Sequence, residues 1–235
     1  MRGLSRRPLI APAAAILGIF HTITGCGASA EATPPPQAVT QKAAPRTPVM
    51  MVIGDSFTVG SGPVRPWETY ATGAARLLGW QPVIAGAGGT GYVNPGRVGR
   101  DFERSFQEEL SWRPAPDLLV VSGGHNDHRW TPHQVRQAAA RLVWTVRSHW
   151  PSTRIVIVGP IWLDQAPPKA YAIRDALAGV AAQDRLAFLD PMSQRWVTGR
   201  RSEVVLPDGT HPTFQGHTAL ARWLAGSLRR LPVYS

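Results

Sequence analysis

From residue 49 onward the chain alternates short, nearly unbroken apolar runs with longer stretches in which apolar residues recur every three or four positions. The short runs fall at 49–53, 82–85, 117–122, 154–158 and 186–189. Each is rich in β-branched residues or leucine and closes on Gly, Asp or Pro, the signature of a buried strand. The longer stretches, at about 67–79, 99–112, 132–149, 169–182 and 213–229, read as helices. In 132–149, Val135, Ala138, Ala139, Leu142, Val143 and Val146 share one face, and Thr131-Pro132 supplies a capping hydroxyl and a first-turn proline. Strand and helix in repeated alternation predict an α/β fold, a parallel sheet covered on both faces.

Ligands in such sheets bind beyond the carboxyl ends of the strands. That rule selects Gly54-Asp55-Ser56, Gly86-Ala87-Gly88-Gly89, Gly123-Gly124-His125-Asn126-Asp127, Pro160-Ile161-Trp162 and Asp190.

The first 47 residues follow neither pattern. Arg2, Arg6 and Arg7 precede a mostly apolar stretch from Leu9 to Ile23, which ends in Ile23-Thr24-Gly25-Cys26. This reads as an export signal over residues 1–26 whose end resembles a bacterial lipobox, with Cys26 as the lipidation candidate; the alternative is an ordinary signal peptide cleaved nearby. The stretch is short and interrupted by Pro12 and His21, which argues against a permanent transmembrane helix. Ser5-Arg6-Arg7-Pro8-Leu9-Ile10 also resembles a twin-arginine signal, so the export route stays open. Residues 27–47, rich in Ala, Pro, Thr and Gln, are expected to form an extended, disordered tether. The remainder, 48–235, is long enough for one catalytic domain. Localisation is accordingly expected at the cell envelope, lipid-anchored, or as a secreted protein.

Composition changes this picture little. Hydrophobic residues at 43% and charged residues at 17% place the chain among globular proteins. Cys26 is the only cysteine, which excludes an internal disulfide. The formal net charge is +10, but the basic residues are dispersed along helical stretches with no Lys/Arg block, so no nucleic-acid partner is expected. A basic exported protein can still associate with anionic lipid or cell-wall polymer.

Ser56 stands three residues beyond the first strand. A serine hydroxyl is a poor nucleophile near neutrality and needs an imidazole to take its proton and a carboxylate to fix that imidazole's tautomer. Asp208-Gly209-Thr210-His211 offers both, because a three-residue spacing lets one short loop present Asp208 to one ring nitrogen while the other faces the serine. Gly89 and Asn126 follow the second and third strands, where a glycine amide and a side-chain amide can donate to a developing oxyanion. Singly, each motif has a plain structural alternative: a capping serine, a glycine turn, an Asx turn at Asn126-Asp127.

Taken together, Gly54-Asp55-Ser56 with Gly60, the glycine loop ending at Gly89, Gly124-x-Asn126-Asp127 and Asp208-x-x-His211 resemble, in order, the four sequence blocks of the SGNH, or GDSL-type, hydrolases. The resemblance spans residues 49 to about 228. It implies a three-layer α/β/α sandwich of the SGNH/flavodoxin-like kind with a five-stranded, largely parallel sheet, and ester hydrolysis with no metal or other cofactor. By position it makes Ser56 the nucleophile, His211 the base and Asp208 its partner, with the Ser56 and Gly89 N–H groups and the Asn126 side chain as oxyanion hole. Many members carry an asparagine before the glycines where this chain has Ile84-Ala85-Gly86, which leaves Gly88 and Gly89 both open as donor.

Tyr92, His125, Trp130 and Trp162 follow strand ends and are candidates for the substrate cleft, where aromatic rings stack on a sugar or pack on an acyl chain. For Trp130 and Trp162 a structural role is equally open, while Trp144 and Trp223, on helix faces, are expected in the core. The expected partner is a small-molecule or polymer-borne ester; no insertion resembles a lipase lid, which favours a small acyl group. An acyl or acetyl transferase acting on envelope glycans, or a non-catalytic binding lipoprotein, are the competing functions.

Overall fold

The computed structural model describes residues 46–231, so the expected signal peptide, Cys26 and nearly all of the tether lie outside the described residues. In chain order the elements are β1 (Val49–Gly54), α1 (Ser56–Val59), α2 (Tyr70–Leu77), β2 (Gln81–Gly86), α3 (Phe102–Ser105), β3 (Leu118–Ser122), α4 (Pro132–His149), β4 (Arg154–Val158), α5 (Pro168–Gln183), β5 (Ala187–Leu189), α6 (Arg201–Val204) and α7 (Phe214–Arg229). The five strands pair in the order β2-β1-β3-β4-β5, all parallel.

Alternate strand residues feed opposite cores, as the period of two requires. Met51, Ile53, Leu119, Val121, Ile155 and Ile157 pack under α3, α4 and α5. Met50, Val52, Leu118, Val120, Val156 and Val158 pack under α2 and α7. The result is the three-layer sandwich with a five-stranded sheet that the resemblance implied.

In this order the chain leaves β1 in one direction for β2 and returns across it to β3, which makes the β1–β3 boundary the switch point at which ligands bind in open α/β sheets. Register then sets the height of the loops there. Gly54 is level with Gly86 of β2 and Ser122 of β3, so the segments after all three strands emerge at one edge.

Two expected helices differ from their sequence reading. The stretch 67–79 is broken: Pro66–Glu68 form a single 3₁₀ turn, Thr69 is extended with its hydroxyl donating to the Pro66 carbonyl (3.0 Å), and α2 begins only at Tyr70. The stretch 99–112 starts late, because Gly99 has a positive φ and Asp101 caps α3 by accepting from Arg104 N–H (2.9 Å); it then widens into a π-helical turn over Phe106–Leu110. By contrast α4 starts where expected, with Thr131 and Gln134 forming a reciprocal capping box and the six apolar residues of its predicted face buried. Trp144, expected in the core, is 70% exposed, whereas Trp223 packs against the α2–α7 core.

Candidate active site

Ser56 opens α1 directly after β1. Asp55 caps that helix, its carboxylate accepting from Phe57 N–H (3.0 Å). The Ser56 amide is one of the donors that a helix start leaves unpaired.

The loop 206–211 brings His211 to the serine. It is closed by a bridge between Val205 and Pro212, by Leu206 N–H donating to the His211 carbonyl (2.8 Å) and by Gly209 N–H donating to the Leu206 carbonyl (3.0 Å). Arg201 ties it sideways, donating to the Gly209 carbonyl (3.1 Å) and to Asp164 (2.7 Å). One Asp208 oxygen accepts from the Thr210 and His211 amides (2.9 and 3.0 Å), and the other accepts from His211 Nδ1 (2.6 Å). The His211 Nε2 is then 2.8 Å from Ser56 Oγ and able to accept its proton. Partial burial pushes the Asp208 carboxyl up, but the hydrogen bonds from the His211 ring and the two amides outweigh it and hold the group down at about 2. Asp208 is thus an anion near neutral pH.

Phe57 is buried, and its ring packs against both His211 (centroids 5.5 Å apart) and His125 (5.3 Å), giving the His211 imidazole an apolar backstop. Apart from its place next to Ser56, nothing in the local string marks Phe57 for that role.

A cavity of about 480 Å³ opens over Ser56 and His211, walled by Gly88, Gly89, Asn126, His125, Thr210 and Arg97 among others. The amides of Gly88 and Gly89 have no hydrogen-bond partner among the described residues, and Gly89 has φ +77, a conformation that aims its peptide in a way few other residues allow. Both glycines remain in place to donate. The Asn126 amide donates to the Thr90 carbonyl (2.9 Å) and, at 3.3 Å, to Asp55. A carbonyl cannot donate, so the nitrogen must face Thr90, which fixes the amide's orientation. The longer bond to Asp55 is the weaker of the two and the one a stronger acceptor in the cavity would displace.

Asp127, for which the sequence offered an Asx turn with Asn126 as the plain structural alternative, has a larger part. It is fully buried, and its carboxylate accepts from three successive amides of the glycine loop: Tyr92 (2.9 Å), Val93 (2.9 Å) and Asn94 (3.0 Å). The approach is so close that a Cβ on Gly91 would stand 2.3 Å from Asp127 Oδ2. Burial raises the Asp127 carboxyl above its ordinary range, and the three amides work against that rise. A single side chain after β3 therefore holds the loop after β2 on which Gly88 and Gly89 sit.

Of the cleft candidates, His125 lines the cavity and stacks on Trp162 (4.2 Å between centroids, 27° between planes). Its Nδ1 is 3.0 Å from the Ile161 carbonyl, so that nitrogen carries the proton, and burial lowers the ring's pKa to about 4; the ring is neutral with Nε2 as an acceptor. Tyr92 is a correction: only 3% exposed, it packs on Phe102 in the core, because the pull of Asp127 on its amide turns the chain inward there. Trp130 is half-buried against the α4 side of the core and does not line the cavity over Ser56 either.

Comparison with known proteins agrees with this geometry. Residues 52–219 match the model of the GDSL-like Lipase/Acylhydrolase family. The chain is 30% identical over 187 residues to the GDSL lipase Rv0518 of Mycobacterium tuberculosis, covering 74% of this chain and 78% of that protein. Among solved structures, the carbohydrate acetylesterase Est24 of Sinorhizobium meliloti superposes with a TM-score of 0.63 at 17% identity, over 77% of this chain and 98% of that one. The native aryl esterase of M. smegmatis does so with a TM-score of 0.60 at 20% identity, over 79% and 100%. These structural likenesses establish the fold, while the family match runs from within β1 to the first turns of α7 and takes in both Ser56 and His211. The chain belongs to the GDSL-like lipase/acylhydrolase family and is an ester hydrolase of the GDSL type.

Proposed function

We propose that Ser56, His211 and Asp208 form the catalytic triad of an exported esterase that removes short acyl groups, acetyl foremost, from carbohydrate. Ser56 Oγ attacks the ester carbonyl as its proton passes to His211 Nε2, and Asp208 steadies the imidazolium that results. His211 returns the proton to the departing alcohol, and water then releases the acyl group by the reverse route. The negative charge on the tetrahedral oxygen is met by the Ser56 amide, by the Gly89 amide with Gly88 beside it, and by Asn126 as it exchanges Asp55 for the oxyanion. Each such donor is worth roughly 10²–10³ in rate.

The observation that carries this reading is the unbroken relay of 2.6 Å from Asp208 to His211 and 2.8 Å from His211 to Ser56, beside glycine amides with no other partner. Such a relay has no use in a protein that only binds. The carbohydrate assignment draws on the polar wall that His125, Asn126, Asn94 and Arg97 give the cavity, and on solved neighbours that are carbohydrate esterases. Export through residues 1–26, lipidation at Cys26 and a tether over 27–47 belong to the same proposal and would hold the enzyme at the envelope.

Ser56→Ala and His211→Ala are each expected to lower turnover of p-nitrophenyl acetate about 10⁴-fold or more. Retention of the wild-type rate by either variant refutes the triad. A panel of p-nitrophenyl esters of graded chain length, with acetylated xylan and peptidoglycan, reads acyl and alcohol preference; preference for long-chain esters refutes the acetyl assignment. Incorporation of labelled palmitate, abolished by Cys26→Ala, tests the anchor.

A further inference from the structure

Beyond the catalytic cavity lie two more, and the three adjoin in sequence. The first outer cavity, about 370 Å³, shares His125 and Thr210 with the catalytic one. The second, about 480 Å³, shares Trp162, Leu163, Asp164 and Gln165 with the first and extends to Tyr171, Arg195 and Trp196. Each falls within the roughly 300–1,000 Å³ typical of small-ligand sites.

Their walls combine fixed aromatic rings with hydrogen-bonding side chains. Trp162 is held by its stack on His125. Trp196 is held by its Nε1–H donating to the Pro191 carbonyl (2.9 Å) and by an edge contact with Trp223. The same second cavity is lined by the exposed Asp164, Gln165, Gln194 and Arg195. Asp164 is paired with Arg201 at 2.7 Å, whereas Arg195 has no partner among the described residues. A pyranose ring has an apolar C–H face and a rim of hydroxyls, and a wall alternating aromatic faces with amide, carboxylate and guanidinium groups matches both. An extended acyl chain would need continuous apolar lining, which Asp164, Gln165 and Arg201 interrupt.

We infer that the two outer cavities are subsites for the sugar residues flanking the one that bears the ester, so that the enzyme prefers acylated oligosaccharide chains to acylated monosaccharides. The inference rests on the reading of Ser56 as the nucleophile of a carbohydrate esterase. His125, shared between the catalytic cavity and the first subsite, offers Nε2 to a hydroxyl at the boundary. Trp162 carries the next sugar on its face, and Gln194, Arg195 and Trp196 meet the one beyond.

The experiment measures kcat/KM on acetylated xylo-, cello- and N-acetylglucosamine oligosaccharides of one to six residues, with p-nitrophenyl acetate as the chain-free reference. At least one series is expected to rise tenfold or more between one and four residues, mainly through a falling KM. Trp162→Ala is expected to flatten that rise. Arg195→Ala, at an exposed position where folding is not at stake, is expected to raise KM for the four-residue substrate about threefold more than KM for p-nitrophenyl acetate. Rates independent of chain length in every series, with Ser56-dependent hydrolysis of p-nitrophenyl acetate intact, overturn the subsites and leave the esterase standing. A length-dependent rise that both variants leave untouched overturns the assignment to these cavities. Activity that survives Ser56→Ala strikes instead at the reading on which the inference rests.

Discussion

Replacing Asp127 by asparagine tests whether the active site is held together from β3. The change keeps size and shape but removes the charge and turns one acceptor into a donor. Asp127 Oδ1 serves Val93 and Asn94, and Oδ2 serves Tyr92. The asparagine oxygen will stay with the two amides, leaving its NH₂ facing the Tyr92 N–H. A buried donor without an acceptor costs about 1–3 kcal/mol, and two bonds that pass from charged to neutral acceptor lose roughly 1 kcal/mol each. Against this, the variant escapes the burial of a carboxyl whose pKa that burial already raises, so a net loss of about 2–3 kcal/mol is expected. For a domain of this size that lowers Tm by roughly 5–10 °C. The kinetic effect is the more diagnostic: with the loop of Gly88 and Gly89 loosened, one oxyanion donor is misplaced and kcat on p-nitrophenyl acetate falls up to about 100-fold with KM little changed. Thermal melting and steady-state kinetics on the same preparation decide. A variant that melts early but keeps kcat within twofold of wild type would show that the glycine loop holds its place without Asp127, and the positioning role would be refuted.

Two further substitutions probe the carboxylates on either side of the serine. Asp208→Asn keeps an oxygen for the Thr210 and His211 amides, which forces its NH₂ toward His211 Nδ1 and selects the tautomer that cannot accept from Ser56; kcat is expected to fall about 10³–10⁴-fold with Tm within a few degrees, and a loss under tenfold contradicts the relay. Asp55 is buried, and desolvation raises its carboxyl to about 7, so between about pH 4 and 7 it is protonated in the fold and ionised in the unfolded chain. Its contribution is therefore present at low pH and lost as pH rises through about 7. Asp55→Asn removes that slope while leaving the opposite one from the buried, neutral His125 and His217, which lose stability as pH falls from about 6.5 toward 4. Urea midpoints from pH 5 to 8 should thus fall less, or rise more, in the variant than in wild type; parallel curves for the two proteins would exclude a raised Asp55.

The strands were the most legible part of the chain because each is a nearly continuous apolar run, buried almost throughout in the central β1, β3 and β4, and all five lie within one or two residues of their expected bounds. Helices were legible where a cap was local, as with Thr131 and Gln134. They were not where the break depended on backbone geometry, as at Thr69 and Gly99, or where the helix widened into a π turn at Phe106. Asp208-x-x-His211 could be read as a pair because its geometry is contained in four residues. The partners of Asp127 are 33 to 35 residues away on another loop, and nothing in the local string marks them. Tyr92 misled for the same reason: position after a strand fixes the height of a side chain at the sheet edge, but the direction in which Tyr92 points follows from a carboxylate on the loop after β3, on the far side of β1. Trp144 shows the complementary failure, since helical spacing alone does not tell a core face from a solvent face.

Covalent trapping tests directly whether Ser56 is the nucleophile. Incubation with a fluorophosphonate followed by peptide mapping should place a single stoichiometric adduct on Ser56, with esterase activity lost in step with labelling and no adduct formed by Ser56→Ala. Full labelling at another residue, or esterase activity persisting in protein quantitatively modified at Ser56, would contradict the account.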